Sequence, residues 1–176
     1  MRPKPTTNYL AGYDPALVHN VRQLIVQNRL AEILLKEYPQ AHAVRTDKAL
    51  YDYVQEIKGE YLRNTGQLSL VAFDSTMHII RQALGTHTRV SRVQGTKLKA
   101  KREIRVATMF KAMPPEFLRM IVVHELAHLR QGDHDKAFYQ LCRYMEPDYH
   151  QLEFDLRVYL SHLDATGQAL WSATAL

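Results

Sequence analysis

The fold is decided by the stretch Val122-Val123-His124-Glu125-Leu126-Ala127-His128-Leu129, which contains the pattern His-Glu-x-x-His. Residues four apart lie on one face of an α-helix with Cβ atoms about 5 to 6 Å apart, so His124 and His128 can reach one metal ion together. Glu125 is offset by roughly 100° around the helix, which directs its carboxylate toward a water bound to the ion. The spacing therefore predicts a zinc-binding helix with Glu125 as a general base.

The flanking residues predict where this helix begins and ends, and that it is buried. Pro114-Pro115-Glu116 opens it, because a proline and an acid both suit the first helical turn. Gly132 is placed to end it. The apolar residues around the motif indicate a largely buried helix, namely Val122, Val123, Leu126 and Leu129. Two unpaired histidines would be costly there, which favours a metal site over a solvated surface pair.

A third ligand is needed for a catalytic zinc site, and the first candidate is His134. A chain reversal at Gly132 can bring its imidazole back to the metal. Other residues remain candidates for the third ligand, because another group of zinc hydrolases takes a carboxylate ligand from a later helix. These candidates are Glu146, Asp148, His150 and Glu153. The other histidines have no partner at ligand spacing and are predicted to be structural or solvent-facing: His19, His42, His78, His87 and His162.

The N-terminal half is predicted to be helical. Apolar residues recur at helical spacing from Asp14 to Tyr38, where Asp14-Pro15 supplies a cap and a first helical proline. Pro39 ends this helix or pair of helices. A further helix is predicted from Thr46 to Tyr61.

The middle of the chain changes to strand periodicity. A hairpin is predicted around Asp74-Ser75-Thr76, followed by strands at Thr88–Val93 and Ile104–Phe110. Two more helices, Asp135–Met145 and Tyr149–Leu163, follow the motif helix. We therefore expect an α+β fold with a helical N-terminal half, a small, mostly antiparallel sheet of three to four strands, a zincin-like active-site helix and C-terminal helices.

Length and composition indicate one soluble domain. The 176 residues suffice for a single core and are 46% hydrophobic and 23% charged, as in ordinary globular proteins. We expect a single zincin-like metal-dependent hydrolase domain over 1–176, with a helical part at about 14–64 and a catalytic part at about 68–163. The N-terminus lacks a secretory signal, no apolar run is long enough for a membrane helix, and Cys142 is the only cysteine. A cytoplasmic protein without a membrane partner is the prediction.

Positive charge is concentrated between the predicted hairpin and the last strand. The net charge of the chain is +5, but the window 86–105 alone carries +6, with seven basic residues against Glu103. Such a segment can face phosphate, nucleic acid or an acidic partner, or be a solvated loop. The candidates for substrate binding are Arg89, Arg92, Lys97, Lys99 and Lys101.

The sequence resembles the YgjP-like metallopeptidase family, a branch related to the WLM and SprT-type zinc proteins. The resemblance covers about Asn8 to Leu163 and is carried by His124 to Leu129, His134, Phe138-Tyr139, Ser91 to Gly95, Ile104 to Thr108 and Met145 to Asp155. It implies that His124, His128 and His134 hold the metal and that Glu125 is catalytic. It also implies that a nucleotide pyrophosphatase activity towards UTP occurs within the branch.

Three functions are therefore weighed. The first is a hydrolase of the zinc metallopeptidase type with one zinc ion, in which the strand Ile104–Phe110 pairs with a peptide or protein substrate. The alternative is a UTP pyrophosphatase that holds phosphates on the basic segment and receives magnesium with the nucleotide. A structural metal site in a nucleic-acid-binding protein is disfavoured, because such a site does not require Glu125. Candidates for an oxyanion donor are Tyr139, Tyr149 and His150.

Overall fold

A computed structural model describes residues 7–77 and 102–173 of the chain. The N-terminal helices are α1 (Pro15–Val26), α2 (Leu30–Glu37) and α3 (Asp47–Tyr61). Strands β1 (Leu70–Asp74) and β2 (Glu103–Ala107) and a 3₁₀ helix (Thr108–Ala112) follow. The C-terminal helices are α4 (Pro115–Ala127), α5 (Lys136–Met145) and α6 (Tyr149–Thr166). The α+β class and the helical N-terminal half are confirmed.

Helices α1 and α3 begin at the residues that their capping chemistry indicates. The Asp14 carboxylate accepts hydrogen bonds from the amides of Ala16 and Leu17 at the start of α1. The Thr46 hydroxyl accepts from the amide of Ala49 at the start of α3. The segment Asp14 to Tyr38 forms two helices, because the chain turns between them at Asn28, which has φ of 55°.

The described residues do not support the predicted, mostly antiparallel sheet of three to four strands. Within residues 7–77 and 102–173 there are two strands, and they pair in parallel, with Leu70 opposite Glu103 and Asp74 opposite Ala107. At the expected hairpin, the Asp74 carboxylate accepts from both the amide and the hydroxyl of Thr76. This side-chain turn ends β1, whose partner strand comes from much later in the sequence.

The other strand predictions meet different outcomes. The predicted strand Thr88–Val93 and the residues after position 77 in the predicted hairpin lie outside the described residues. The strand predicted at Ile104–Phe110 ends at Ala107 and continues as the 3₁₀ helix. A short alternation of apolar residues does not reveal this change of backbone, because a buried residue such as Phe110 fits the apolar pattern of a strand and that of a short helix.

The core is built around α4, which packs against α3, α5, α6 and β2. Val122, Val123 and Leu126 are completely buried, so the predicted burial of this helix is confirmed. Earlier in α4, the Phe117 ring lies 4.8 Å from that of Tyr38, measured between ring centroids. Because α4 is covered on several sides, its position is fixed relative to the elements that approach its C-terminal end.

Among residues 7–77 and 102–173, no helix is both long enough and apolar enough to cross a membrane.

Candidate metal centre

The motif histidines lie at the C-terminal end of α4, where the helix gives way to a tight turn. The last helical residue is Ala127, and His128 is the capping residue, with its amide bonded to the carbonyl of His124. The amide of Gln131 then bonds to the carbonyl of Ala127 at 3.0 Å. The helix therefore ends before Gly132, and the turn that returns the chain begins at His128 rather than at the glycine.

This turn brings His134 against the two helical histidines. The Nε2 atoms are separated by 3.2 Å for His124 and His128, 2.9 Å for His128 and His134, and 3.2 Å for His134 and His124. Three nitrogen ligands about 2.0 to 2.1 Å from a tetrahedral zinc ion would be about 3.3 Å apart. Of the residues that the structure describes, these three form the group able to hold a metal ion.

The hydrogen bond behind His128 sets its tautomer. Its Nδ1 lies 2.9 Å from the carbonyl oxygen of Gln131. A carbonyl oxygen only accepts, so Nδ1 must carry the proton and, in the neutral ring, Nε2 has a free lone pair. This lone pair faces the other two Nε2 atoms, an arrangement that suits a shared cation.

His124 has a side-chain partner on the opposite side of its ring. Its Nδ1 lies 2.7 Å from the hydroxyl oxygen of Tyr149, the first residue of α6. Both side chains are buried, with exposed fractions of 2% and 0%. The hydrogen bond orients the imidazole so that Nε2 points to the centre of the cluster.

The wall of the site is formed by the start of α5. The Phe138 ring is fully buried and lies 4.6 to 5.0 Å from the rings of all three histidines. The Asp135 carboxylate caps α5 by accepting from the amide of Phe138 at 2.9 Å. Asp135 thus acts as the N-cap of α5, and it fixes the backbone next to His134.

Glu125 follows His124 on α4 and is half-buried. Burial raises the pKa of its carboxyl from 4.5 to about 8 in the metal-free chain. A cation in the cluster would favour the carboxylate and lower this pKa. A carboxyl group with this environment, one residue from a ligand candidate, is suited to accept a proton near neutral pH.

The competing ligand candidates have other partners. The Glu146 carboxylate bonds to Nε of Arg119 at 2.7 Å, and the Glu153 carboxylate pairs with Arg157 at 3.1 Å. Neither they nor Asp148 and His150 belong to the group that can hold a metal among the described residues. The geometry therefore favours His134 as third ligand.

The remaining site predictions fall into two groups. The Tyr149 hydroxyl is hydrogen-bonded to Nδ1 of His124, which argues against Tyr149 as the oxyanion donor. The Tyr139 ring lies 6.2 Å from that of His134 and 5.3 Å from that of the exposed His150. The basic candidates lie outside the described residues: Arg89, Arg92, Lys97, Lys99 and Lys101.

Sequence reasoning missed three groups that support the histidines: the Gln131 carbonyl, the Phe138 ring and the hydroxyl of Tyr149 as a partner of His124. Phe138 shares helical spacing with Cys142 and Met145, so its burial could have been predicted from the sequence. Its contact with three histidines depends on the turn after α4. The Tyr149 contact has no sequence signal, because it joins two different helices. The Gln131 contact depends on the conformation of the turn after α4.

Comparison with known proteins identifies the family of the chain. The model of the YgjP-like, metallopeptidase domain family matches residues 22–159. A UTP pyrophosphatase of Escherichia coli is 57% identical over 155 residues, which cover 88% of this chain and 93% of that protein. No solved structure matched the chain. The matched region contains α4 and all three histidines, and the chain therefore belongs to the YgjP-like metallopeptidase-domain family.

Proposed function

We propose that this hydrolase is a metal-dependent UTP pyrophosphatase that holds one zinc ion on His124, His128 and His134. The observation that supports UTP as the substrate is the 57% identity to a UTP pyrophosphatase over nearly the full length of both chains. The observation that supports the metal is the triangle of Nε2 atoms with sides of 2.9 to 3.2 Å. Imidazole nitrogens suit zinc better than magnesium, which prefers oxygen ligands.

The catalytic role falls to Glu125. Bound zinc would supply Lewis-acid chemistry, acidifying a water molecule and polarising a phosphate oxygen. Glu125 takes a proton from the attacking water as the water oxygen bonds to the α-phosphorus. The bond from that phosphorus to its bridging oxygen breaks, and pyrophosphate leaves with the bonding electron pair. Glu125 can then return its proton to the leaving group or to solvent.

Phosphate binding is assigned to the basic segment on the basis of its charge. The window 86–105 has a net charge of +6, while the rest of the chain is close to neutral. Charge-assisted hydrogen bonds from arginine and lysine are the usual means of holding a triphosphate. We propose Arg89, Arg92, Lys97, Lys99 and Lys101 for this role, with magnesium arriving on the nucleotide.

Peptide hydrolysis is the second candidate. It is favoured by the family model, which describes a metallopeptidase domain, and by the His-Glu-x-x-His pattern. The same Glu125 would serve as base in either reaction, so the metal centre alone does not distinguish the substrates. Strand β2 would pair with an extended peptide in this case.

The test compares the wild-type protein with Glu125→Gln, both purified without chelators and with zinc quantified. Each is offered UTP, other nucleoside triphosphates, peptides and unfolded protein, with release of UMP and pyrophosphate measured by ion exchange. We expect the wild type to hydrolyse UTP and the variant to retain zinc while losing about 10² to 10⁴-fold in rate, the usual contribution of a general base. Glu116→Gln, an exposed acid in the first turn of α4, is the matched control and should keep full activity.

The outcomes separate the candidates. Cleavage of peptides without turnover of UTP would establish the peptidase and refute the pyrophosphatase. A wild-type protein that carries no transition metal would refute the metal site itself. Full activity in Glu125→Gln would remove Glu125 as the base.

A further inference from the structure

We propose that Tyr139 and His150 form an aromatic platform on which the base of the nucleotide stacks while its α-phosphate lies at the metal centre. This inference rests on the proposed nucleotide substrate and assigns the part of the site that contacts the base. Tyr139 lies on α5 and His150 on α6, and their ring centroids are 5.3 Å apart with an angle of 36° between the ring planes. The two helices thus bring two aromatic rings together beside the three histidines.

The position of these rings relative to the histidines suits a base. The Tyr139 ring lies 6.2 Å from that of His134. Among the described residues, the rings in contact with His150 are those of Tyr139 and Tyr149, not those of the three histidines. The platform therefore begins beside the metal centre and extends away from it. In a nucleotide the ribose separates the α-phosphorus from the base, so a surface for the base has to be displaced from the metal in this way.

Both rings have surface that a ligand can reach. His150 is exposed and Tyr139 is partly exposed. Within the described part of the chain, no hydrogen bond joins the Tyr139 hydroxyl or the His150 imidazole to another residue. The neighbouring Tyr149, by contrast, is fully buried and bonded to His124. An accessible aromatic ring can hold a base by stacking, because every base has a π-face.

The backbone holds the platform in place relative to the metal centre. The amide of Tyr139 bonds to the carbonyl of Asp135, the residue that caps α5, at 3.2 Å. The segment that leads into α6 is tied to α4 by Arg119, which donates to the Glu146 carboxylate at 2.7 Å and to the carbonyl of Met145 at 2.8 Å. Two rings on fixed helix starts need little ordering when a base binds, which favours affinity.

The experiment compares binding of UMP with binding of ribose 5-phosphate, which has the same sugar and phosphate but lacks the base. Dissociation constants are measured by isothermal titration calorimetry with purified, zinc-supplemented protein, and zinc is quantified in every variant. Tyr139→Leu and His150→Ala remove one ring each, whereas Tyr139→Phe and His150→Phe keep an aromatic ring. The matched controls are Tyr144→Leu, at an exposed tyrosine on α5, and His19→Ala, at an exposed histidine on α1.

We expect the wild type to bind UMP about 5 to 150-fold more tightly than ribose 5-phosphate, the usual range for stacking of one base on aromatic side chains. Tyr139→Leu and His150→Ala should each remove much of this advantage by weakening UMP binding, with unchanged affinity for ribose 5-phosphate and unchanged zinc content. The two phenylalanine variants and both controls should keep the advantage.

The outcomes distinguish this proposal from the proposed function. A wild type that binds UMP no more tightly than ribose 5-phosphate would overturn the platform even if UTP is hydrolysed. Full UMP affinity in both Tyr139→Leu and His150→Ala, or an equal loss in Tyr144→Leu, would overturn it as well. Failure of the pyrophosphatase proposal appears elsewhere, as absence of UTP hydrolysis, and leaves the comparison of the two ligands and its change in the variants measurable.

Discussion

His134 is the proposed ligand whose position depends most on tertiary structure, because it lies beyond the end of α4. Replacement of His134 by alanine leaves two imidazoles, and we expect zinc occupancy to fall to a small fraction of the wild-type value, since three protein ligands are the norm in catalytic sites. The measurement is zinc per protein after dialysis against metal-free buffer.

The controls for His134→Ala distinguish the loss of a ligand from the loss of a nearby polar residue. His150→Ala removes an exposed histidine near the same aromatic side chains, and its zinc content should match the wild type. Glu153→Gln tests one of the carboxylates that the sequence left open as third ligand; this carboxylate pairs with Arg157. If Glu153→Gln lost zinc and His134→Ala kept it, the third ligand would have to be reassigned to α6.

At the scale of the elements, the start of α5 couples helix stability to the metal centre. Asp135 caps this helix through the amide of Phe138, and it is the next residue after His134. We expect Asp135→Ala to reduce the free energy of unfolding by about 1 kcal/mol, the typical value of a lost N-cap. Loss of the cap would loosen the turn before α5, which contains His134, so zinc affinity should fall as well.

Two measurements check the prediction for Asp135→Ala: urea unfolding of the metal-free protein and chelator competition for zinc. Asp135→Asn keeps a capping oxygen and should retain both properties. Loss of zinc affinity in Asp135→Asn together with full stability would contradict a capping role and indicate that the carboxylate charge itself acts on the metal.

At the scale of the whole molecule, a buried histidine makes stability depend on pH. His42 joins the segment between α2 and α3 to the 3₁₀ helix: its Nδ1 accepts from the amide of Val44, and its Nε2 donates to the carbonyl of Phe110 at 2.7 Å. Burial lowers the pKa of His42 below 6.5, and the nearby Arg45 lowers it further. Protonation of Nδ1 would break the bond to Val44.

The sign of the effect follows from proton linkage. Below pH 6.5 the unfolded chain binds a proton at His42 more readily than the folded chain, so the free energy of unfolding should fall as pH falls from 6.5 toward the folded pKa. His162, whose pKa burial also lowers, should add to this trend. Urea unfolding at pH 7.5 and 5.5 in chelator should show a smaller pH effect in His42→Gln than in the wild type. Equal pH effects in the two proteins would exclude His42 as a contributor.

The sequence by itself determined the local features. The capping residues Asp14 and Thr46 and the helical spacing of apolar residues predicted α1 to α3, and the His-Glu-x-x-His spacing predicted α4 with two histidines on one face. These features depend on residues within one or two helical turns of each other, so backbone geometry alone relates them. The family could also be predicted, because its motif lies within this local pattern.

Only the tertiary structure decided what depends on distant segments. The parallel pair of β1 and β2 joins strands from separate parts of the chain, and no local pattern records which strands meet or in which direction. Three features require α4, α5 and α6 to be docked together: the placement of His134 beside the helical histidines, the contact of Tyr149 with His124 and the packing of Phe138 against three histidines. Spacing along one helix relates His124 to His128, whereas the packing of the helices brings His134 beside them and places Tyr149 to orient His124.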